Sequence, residues 1–334
     1  MPLFLSMLQH ETAANPDAMR RALEGLRKYQ EAPRPPPPAP MPAVVEIAGA
    51  AVRDYGGEGP PVLFVPSLIN PPTVLDLGER SLLRWLAGQG RRVLLLDWGW
   101  PDAARHGLTV AGHVEAFLLP AIAALGEPPI LVGYCLGGTL AAAAAALGEA
   151  RGLATLASPW HFHGFPQEAR AQLAALWAGA RAAAEALGVL PMEVLQSAFW
   201  SLDPARTVAK FARFAGLEGE AAASFIALED WANDGPPIPI AAAREMFDDL
   251  LAADLPGSGR WTVGGRAIHP EALAVPQLHI VSTTDRIVPS ASAFTSGERI
   301  DVTLGHVGMI VGARARSEMW EPLGRWLSRT AAKC

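Results

Sequence analysis

The sequence predicts an α/β protein with a mostly parallel sheet, helices on both faces of that sheet and an inserted helical cap. Short apolar runs alternate with helical patterns along most of the chain. The centres of these runs are apolar without alternation, which is typical of strands buried on both faces under helices. A long alanine-rich segment separates two of the runs and accounts for the cap.

Apolar runs bounded by turn residues are interpreted as strands, at 61–66, 92–97, 129–133, 152–158, 277–283 and 299–303. Helical spacing of apolar residues predicts the helices, at 81–88, 108–124, 136–150 and 317–330. The cap is expected at about 160–265, between the strands at 152–158 and 277–283.

The N-terminal segment is expected to lie outside the main domain. Apolar residues at helical spacing, among them Met19, Leu23 and Leu26, predict one amphipathic helix over 11–31. The prolines between Pro33 and Pro42 then predict a stiff polyproline-type linker. The expected division is therefore a helical appendage at 1–32, a linker at 33–43 and the main domain with its cap at 44–330.

Composition and charge exclude several classes of function. The chain has 27 Lys and Arg against 33 Asp and Glu, so its net charge of −6 offers no general attraction for nucleic acid. Its two cysteines, Cys135 and Cys334, are too few for a disulfide framework or a multi-cysteine metal site. Prolines, glycines and two glutamates interrupt the apolar stretch 117–157, so no membrane span is expected. The apolar start at 1–8 is short and has no basic residue before it, so no secretory signal is expected. The expected location is the cytoplasm.

A glycine-rich turn between a predicted strand and a predicted helix carries the strongest indication of chemistry. Residues 133–137 (GYCLG) have the G-x-S-x-G spacing of the nucleophile elbow of α/β hydrolases, with Cys135 in the serine position. Such a turn lifts the nucleophile above the sheet and directs the first N–H groups of the following helix towards it. Leu136 is expected to supply one oxyanion donor and Leu68, in the loop 67–70, the second. The alternative is that Cys135 is a small buried hydrophobic residue.

Two downstream residues complete a catalytic triad in the chain order that the α/β-hydrolase fold uses. Asp285 follows the predicted strand 277–283, and His306 follows the strand 299–303. His306 would accept the thiol proton of Cys135, and Asp285 would orient the imidazole and stabilise its charged form. Either residue alone could be an ordinary loop residue, but chain order, spacing and strand context together favour the triad.

Other chemistry has little support in the sequence. His161 and His163 bracket one phenylalanine, but no third ligand is evident, so no metal is expected. No phosphate-binding glycine motif indicates a nucleotide cofactor. Tryptophans that follow predicted strands, Trp98, Trp100 and Trp160, could line an acyl pocket, although scattered tryptophans are usually core residues.

Several motifs resemble those of the polyhydroxyalkanoate synthases, an α/β-hydrolase family whose lipase-like box has Cys in place of Ser. The resemblance covers about residues 55–327, and the motifs occur in the family's order. They are 66–70 (PSLIN), 75–77 (LDL), 97–102 (DWGWPD), 133–140 (GYCLGGTL), 231–235 (WANDG), 285–289 (DRIVP) and 305–307 (GHV). The expected match is to a short form that lacks the family's large N-terminal domain.

The resemblance implies an acyltransferase that polymerises (R)-3-hydroxyacyl-coenzyme A. Cys135 would hold the growing chain as a thioester, and His306 with Asp285 would activate the 3-hydroxyl of the next unit. No cofactor is implied, because the coenzyme A thioester is itself the substrate. Implied partners are a second copy, a second synthase subunit and the surface of a polyester granule. Candidate substrate-binding residues are Asn70, Tyr134, Trp98, Trp160 and Trp231.

Two other functions stay open at this point. With water as the acceptor, the same residues would form a hydrolase, either an acyl-coenzyme A thioesterase or an intracellular polyester depolymerase. The acceptor depends on how the cap excludes water, which the sequence does not reveal. The third possibility is a non-catalytic granule or scaffold protein, against which the intact Cys135, Asp285 and His306 argue.

Overall fold

The computed structural model describes residues 2–78 and 80–332, which form two compact units. The unit that we call the α/β unit comprises Pro40–Met192 and the chain from Pro236 onward. The unit that we call the helical unit comprises the chain up to Ala39 together with Glu193–Gly235.

An eight-stranded sheet is the framework of the α/β unit. Its strands are β1 (Ala43–Ile47), β2 (Ala50–Asp54), β3 (Glu58–Val65), β4 (Arg91–Asp97), β5 (Ile130–Tyr134), β6 (Gly152–Leu156), β7 (Gln277–Ser282) and β8 (Glu298–Val302). Their order across the sheet is β1-β2-β4-β3-β5-β6-β7-β8. The pairs β1–β2 and β2–β4 are antiparallel, and all other neighbours are parallel. The predicted fold class, a mostly parallel sheet of the α/β-hydrolase type, is confirmed.

The helices, in chain order, are α1 (Pro2–Glu11), α2 (Pro16–Glu31), α3 (Leu82–Gly88), α4 (Val110–His113, continuing through Val114–Leu118 and Leu119–Ala124), α5 (Leu136–Leu147), α6 (Gln167–Leu187), α7 (Met192–Ser201), α8 (Pro204–Phe214), α9 (Gly219–Ala232), α10 (Ile240–Arg244, continuing as Glu245–Ala252), α11 (Gly308–Val311) and α12 (Arg316–Trp320, continuing as Glu321–Ala331). Short antiparallel pairs join Asp76–Leu77 to Arg80–Ser81, Val189–Leu190 to Ile238–Pro239, and Thr262–Val263 to Arg266–Ala267. Single 3-10 turns lie at Pro72–Leu75, Ala103–Arg105, Phe162–Gly164, Pro270–Ala272 and Ser290–Ser292.

The central strands form where uninterrupted apolar runs predict them. All residues of β5, β6 and β7 are buried, as expected of strands covered on both faces. The hairpin β1–β2 was not predicted. Its first strand alternates between half-buried and exposed residues, and its turn places Ala48 and Gly49 at φ 46° and 86°, the left-handed backbone of a tight two-residue hairpin.

The helix predicted over 11–31 is present as α2, but it begins five residues later than predicted, and the preceding helix α1 was not predicted. Helix α1 ends at Glu11, and α2 begins at Pro16 after a short break. Proline lacks an N–H and forces the residue before it away from helical geometry, so Asn15 becomes the N-cap of α2. Its side chain accepts a hydrogen bond from the N–H of Ala18 at 3.0 Å.

The N-terminal helices are part of the helical unit, whereas the sequence predicts an appendage separate from the cap. Apolar side chains of α1, α2 and α8 form one cluster, among them Phe4, Leu26 and Phe211. Gly25 permits the close approach of α2 and α8, since a Cβ at that position would lie 1.8 Å from the carbonyl oxygen of Phe211. The remaining helices of the predicted cap, α6 and α10, belong to the α/β unit.

Residues 33–42 run without helix or strand, at the place predicted for the proline-rich linker. Within the described ranges 2–78 and 80–332, no helix has both the length and the apolar character needed to cross a membrane.

Candidate active site

Cys135 occupies the sharp turn between β5 and α5. Its backbone has φ 55° and ψ −132°, a conformation that is unfavourable for residues other than glycine. Hydrogen bonds hold the turn: the N–H of Cys135 donates to Leu156 at 3.0 Å, and the N–H of Gly138 donates to the carbonyl of Cys135 at 2.9 Å. A strained residue between a strand and a helix has the geometry of a nucleophile elbow.

The glycines of the motif are required by close contacts. A Cβ on Gly133 would lie 2.3 Å from Cα of Gly138, and one on Gly137 would lie 2.0 Å from the carbonyl oxygen of Val65. Both contacts are with backbone atoms, which cannot rotate away as a side chain can. The spacing of the elbow motif therefore follows from how tightly α5 packs against β5 and the end of β3.

The predicted acid and base lie side by side, beyond the carboxyl ends of neighbouring parallel strands. Asp285 follows β7, and His306 follows β8. The distance between Nδ1 of His306 and Oδ2 of Asp285 is 2.6 Å. The Asp285 side chain is fully buried, and its Oδ1 accepts the N–H groups of Ile287 at 2.7 Å and Val288 at 3.0 Å. These charge-assisted hydrogen bonds stabilise the buried carboxylate.

The electrostatics of the site favour a protonated His306. Burial by itself lowers the pKa of His306, but the charges of Asp285 and Cys135 and the hydrogen bonds to both raise it to about 10. The site therefore favours the imidazolium form of His306.

Tyr134 packs against His306 from the side of β5. Its ring lies 5.1 Å from that of His306 between centroids, and its hydroxyl donates to the carbonyl of His306 at 3.4 Å. Burial, together with the charges of Cys135 and Asp285, raises the pKa of Tyr134 well above its ordinary value. Tyr134 thus remains neutral and packs against the histidine.

The two predicted oxyanion donors lie on adjoining segments of backbone. Leu136 begins α5, so its N–H belongs to the first turn, which has no intrahelical acceptors. Leu68 is buried in the loop after β3, where the neighbouring N–H of Ile69 donates to Oγ of Ser67 at 3.0 Å. The sequence analysis did not predict that internal turn, although a serine that follows a proline just after a strand is a signal for it.

The remaining candidate substrate residues have different surroundings. Trp98 is buried, with its ring edge-on to His113 and Phe117. Trp160 is buried between Trp261 and Phe294. Asn70 is half-buried with a left-handed backbone at φ 61°, and Trp231 lies in α9 of the helical unit. Substrate binding by these residues stays a prediction.

His161 and His163 do not lie with further side chains that could complete a metal site. Nδ1 of His163 lies 3.7 Å from Asp254, whose carboxylate accepts the N–H groups of Phe162 at 2.9 Å and His163 at 3.1 Å. Across residues 2–78 and 80–332, no group of three or more His, Cys, Asp or Glu side chains is arranged to hold a metal ion.

Comparison with known proteins connects this geometry to a family. The model of the Alpha/beta hydrolase family matches residues 62–316. The poly(3-hydroxyalkanoate) polymerase subunit PhaC of Haloferax mediterranei is 28% identical over 287 residues, which cover 80% of this chain and 58% of that protein. The subunit of the same name from Allochromatium vinosum is 27% identical over 290 residues, which cover 80% of each chain. The chain thus spans less than two thirds of the Haloferax relative.

Solved structures support the same fold. A thermophilic esterase from Thermogutta terrifontis superimposes with a TM-score of 0.52 at 17% identity, covering 88% of this chain and 98% of the esterase. The strand order and the elbow at Cys135 agree with this fold. The chain belongs to the alpha/beta hydrolase family, and its sequence is similar to those of poly(3-hydroxyalkanoate) polymerase subunits.

Proposed function

We propose that this protein is an acyltransferase that polymerises (R)-3-hydroxyacyl-coenzyme A into polyhydroxyalkanoate. The observation that carries the proposal is the cysteine at the strained elbow, in a chain whose Asp285 and His306 lie 2.6 Å apart beyond two neighbouring strands. The names of the sequence relatives, polymerase subunits in both organisms, point to the same reaction.

The first step of the proposed reaction loads the acyl group onto Cys135. The thiolate attacks the thioester carbonyl, and the N–H groups of Leu136 and Leu68 stabilise the resulting oxyanion. When the oxyanion collapses, the bond to the sulfur of coenzyme A breaks. The leaving thiolate takes the proton of the His306 imidazolium, and the acyl group stays on Cys135 as a thioester.

The second step lengthens the chain. The 3-hydroxyl of another hydroxyacyl-coenzyme A attacks the thioester on Cys135, and neutral His306 accepts the hydroxyl proton. An ester C–O bond forms, the C–S bond to Cys135 breaks, and the thiolate–imidazolium pair returns. The lengthened chain is now a coenzyme A thioester, which can load Cys135 again.

A cysteine suits this cycle better than a serine. Exchange between two thioesters is nearly balanced in energy, so the intermediate on Cys135 stays reactive towards the next hydroxyl. The thioester supplies the driving force for ester formation, and the proposal therefore requires no cofactor. A second copy or second subunit as partner, and a cytoplasmic location at the surface of a polyester granule, are further parts of the proposal.

The test is release of coenzyme A from (R)-3-hydroxybutyryl-coenzyme A, with the organic product isolated and sized. We expect polymer to accumulate with the released coenzyme A. Cys135→Ala should give no release above background while its circular dichroism stays that of the wild type. Free 3-hydroxybutyrate as the sole product would instead assign the alternative, a thioesterase. Full activity in Cys135→Ala would refute the assignment of Cys135 as the nucleophile.

A further inference from the structure

The loop that carries Leu68 is held by a tryptophan side chain. This loop starts at Pro66, directly after β3, and the indole Nε1 of Trp98 donates to the carbonyl of Pro66 at 3.1 Å. Trp98 itself is only 6% exposed, and the rings of His113 and Phe117 meet it edge-on. The indole therefore has a defined orientation, and so does the carbonyl that it binds.

The hydrogen bond at Pro66 determines how the loop continues. Because the peptide between Pro66 and Ser67 is planar, the direction of the Pro66 carbonyl also sets the direction of the Ser67 N–H. Two residues later the N–H of Ile69 donates to Oγ of Ser67 at 3.0 Å. Leu68 thus lies between two fixed points, the Trp98 bond and the Ser67 turn.

The carbonyl of Pro66 also lies against α5, the helix that follows Cys135. A Cβ on Gly137, in the first turn of α5, would lie 2.7 Å from the carbonyl oxygen of Pro66. The Trp98 bond consequently fixes the loop at the place where it meets the helix that begins with Leu136. A shift at Pro66 would change the distance between the two oxyanion donors.

Trp98 is anchored through its backbone as well. The guanidinium of Arg105 donates to the carbonyl of Trp98 at 2.6 Å and to the carbonyl of Ala48, in the β1–β2 turn, at 2.5 Å. It also lies over the ring of Phe117, 4.6 Å from the centroid. Arg105 is buried, so water does not compete for these bonds.

We propose that Trp98 is a positioning residue whose indole N–H places the oxyanion donor of Leu68, with Arg105 holding Trp98 in that position. This role differs from the substrate contact predicted for Trp98 from the sequence. The inference rests on the proposed acyl transfer through Cys135, since only a reaction with an oxyanion needs this donor.

The test separates oxyanion stabilisation from nucleophile activation. Trp98→Phe keeps an aromatic ring and removes the N–H. The matched control is Trp320→Phe, because Trp320 is also buried and its Nε1 donates to a backbone carbonyl, that of Ile310, at 2.9 Å. Each variant is acylated with p-nitrophenyl acetate, which passes through an oxyanion, and alkylated with iodoacetamide, which does not. Peptide mapping by mass spectrometry identifies the modification at Cys135.

Trp98→Phe should slow acylation by about 10- to 100-fold, the scale of a misplaced oxyanion donor. Its alkylation rate and the pH profile of that rate should equal those of the wild type. Trp320→Phe should leave both reactions unchanged. With hydroxybutyryl-coenzyme A, the loss in Trp98→Phe should appear in kcat and not in KM.

Three results would overturn the inference: unchanged acylation in Trp98→Phe, an equal loss in acylation and alkylation, or a loss confined to KM. Should the phenylalanine variant melt at a lower temperature than Trp320→Phe, 3-benzothienylalanine at position 98 replaces it, since it keeps the bicyclic ring without the N–H. A wild type that p-nitrophenyl acetate acylates but that releases no coenzyme A would refute the proposed function and still test the role of Trp98.

Discussion

Two buried histidines have pKa values that are shifted in opposite directions. One lies in strand β7, and the other follows the neighbouring strand β8. His279, in the middle of β7, is 1% exposed, and its Nδ1 lies 2.8 Å from Oγ1 of Thr155. Burial lowers its pKa to about 4. His306, after β8, is 9% exposed, yet the charges of Asp285 and Cys135 outweigh its burial and raise its pKa to about 10.

The difference shows that a charged partner, and not burial alone, sets the direction in which the pKa of a buried histidine shifts. A hydroxyl such as that of Thr155 is neutral and does little for the charged imidazole, whereas a carboxylate at 2.6 Å interacts strongly in a medium of low polarity. The carboxylate must itself be stabilised in the interior. The loop beyond β7 does so, because the N–H groups of Ile287 and Val288 point at Asp285, and a strand interior has no free N–H groups to offer.

The largest expected effect comes from removing the charge at Asp285. In Asp285→Asn, burial of His306 is no longer opposed by a carboxylate, so the pKa of His306 should fall. The kcat for coenzyme A release should drop by about 10²- to 10⁴-fold, since the imidazolium loses its partner and its preferred orientation. Steady-state kinetics and NMR titration of the His306 ring measure both changes. If Asp285→Asn lowers the pKa of His306 but keeps the kcat of the wild type, the charge on His306 does not determine the rate.

A smaller effect, on stability alone, is expected at His279. Thr155→Val keeps the shape of the side chain and removes the hydroxyl that meets Nδ1. A buried polar atom left without its partner costs about 1–3 kcal/mol, so the free energy of unfolding should fall by that amount. Urea unfolding gives the stability, and kcat of the same variant should equal that of the wild type. A loss of kcat comparable to that of Asp285→Asn would show that His279 takes part in the chemistry.

The sequence predicted those parts of the molecule in which a local pattern has a physical cause. Gly133 and Gly137 must be glycine because backbone atoms fill the space beside them, so the elbow motif was recognisable. The run at 129–133 lies within one residue of β5, since five buried residues in a row need an unbroken apolar sequence. The closeness of Asp285 and His306 was predictable because parallel strands bring their carboxyl ends to one edge of the sheet.

Contacts between segments that are far apart in the chain leave no recognisable pattern in the sequence. The apolar spacing over 11–31 continues through Pro16, and only the proline marks the break between α1 and α2. Nothing in the sequence around Arg105 indicates that it would bind carbonyls at Ala48 and Trp98, 57 and 7 residues away. The opposite shifts at His279 and His306 likewise depend on partners contributed by other strands and loops.

The pH dependence of stability is a further expected effect, in which the two histidines have opposite signs. A pKa lowered from 6.5 to about 4, as at His279 and also at His113, means that the unfolded chain binds more protons between these values. Stability from these groups is therefore lost as the pH falls from 6.5 towards 4. At His306 the folded protein binds more protons between 6.5 and about 10, so its contribution is complete below 6.5 and is lost as the pH rises. Each slope is at most about 1.4 kcal/mol per pH unit.

Urea unfolding between pH 4 and pH 10 tests these signs. The wild type should lose its stability advantage over His306→Gln only above pH 6.5, and its stability advantage over His279→Gln only below pH 6.5. Parallel curves for all three proteins would mean that neither histidine changes its pKa on folding.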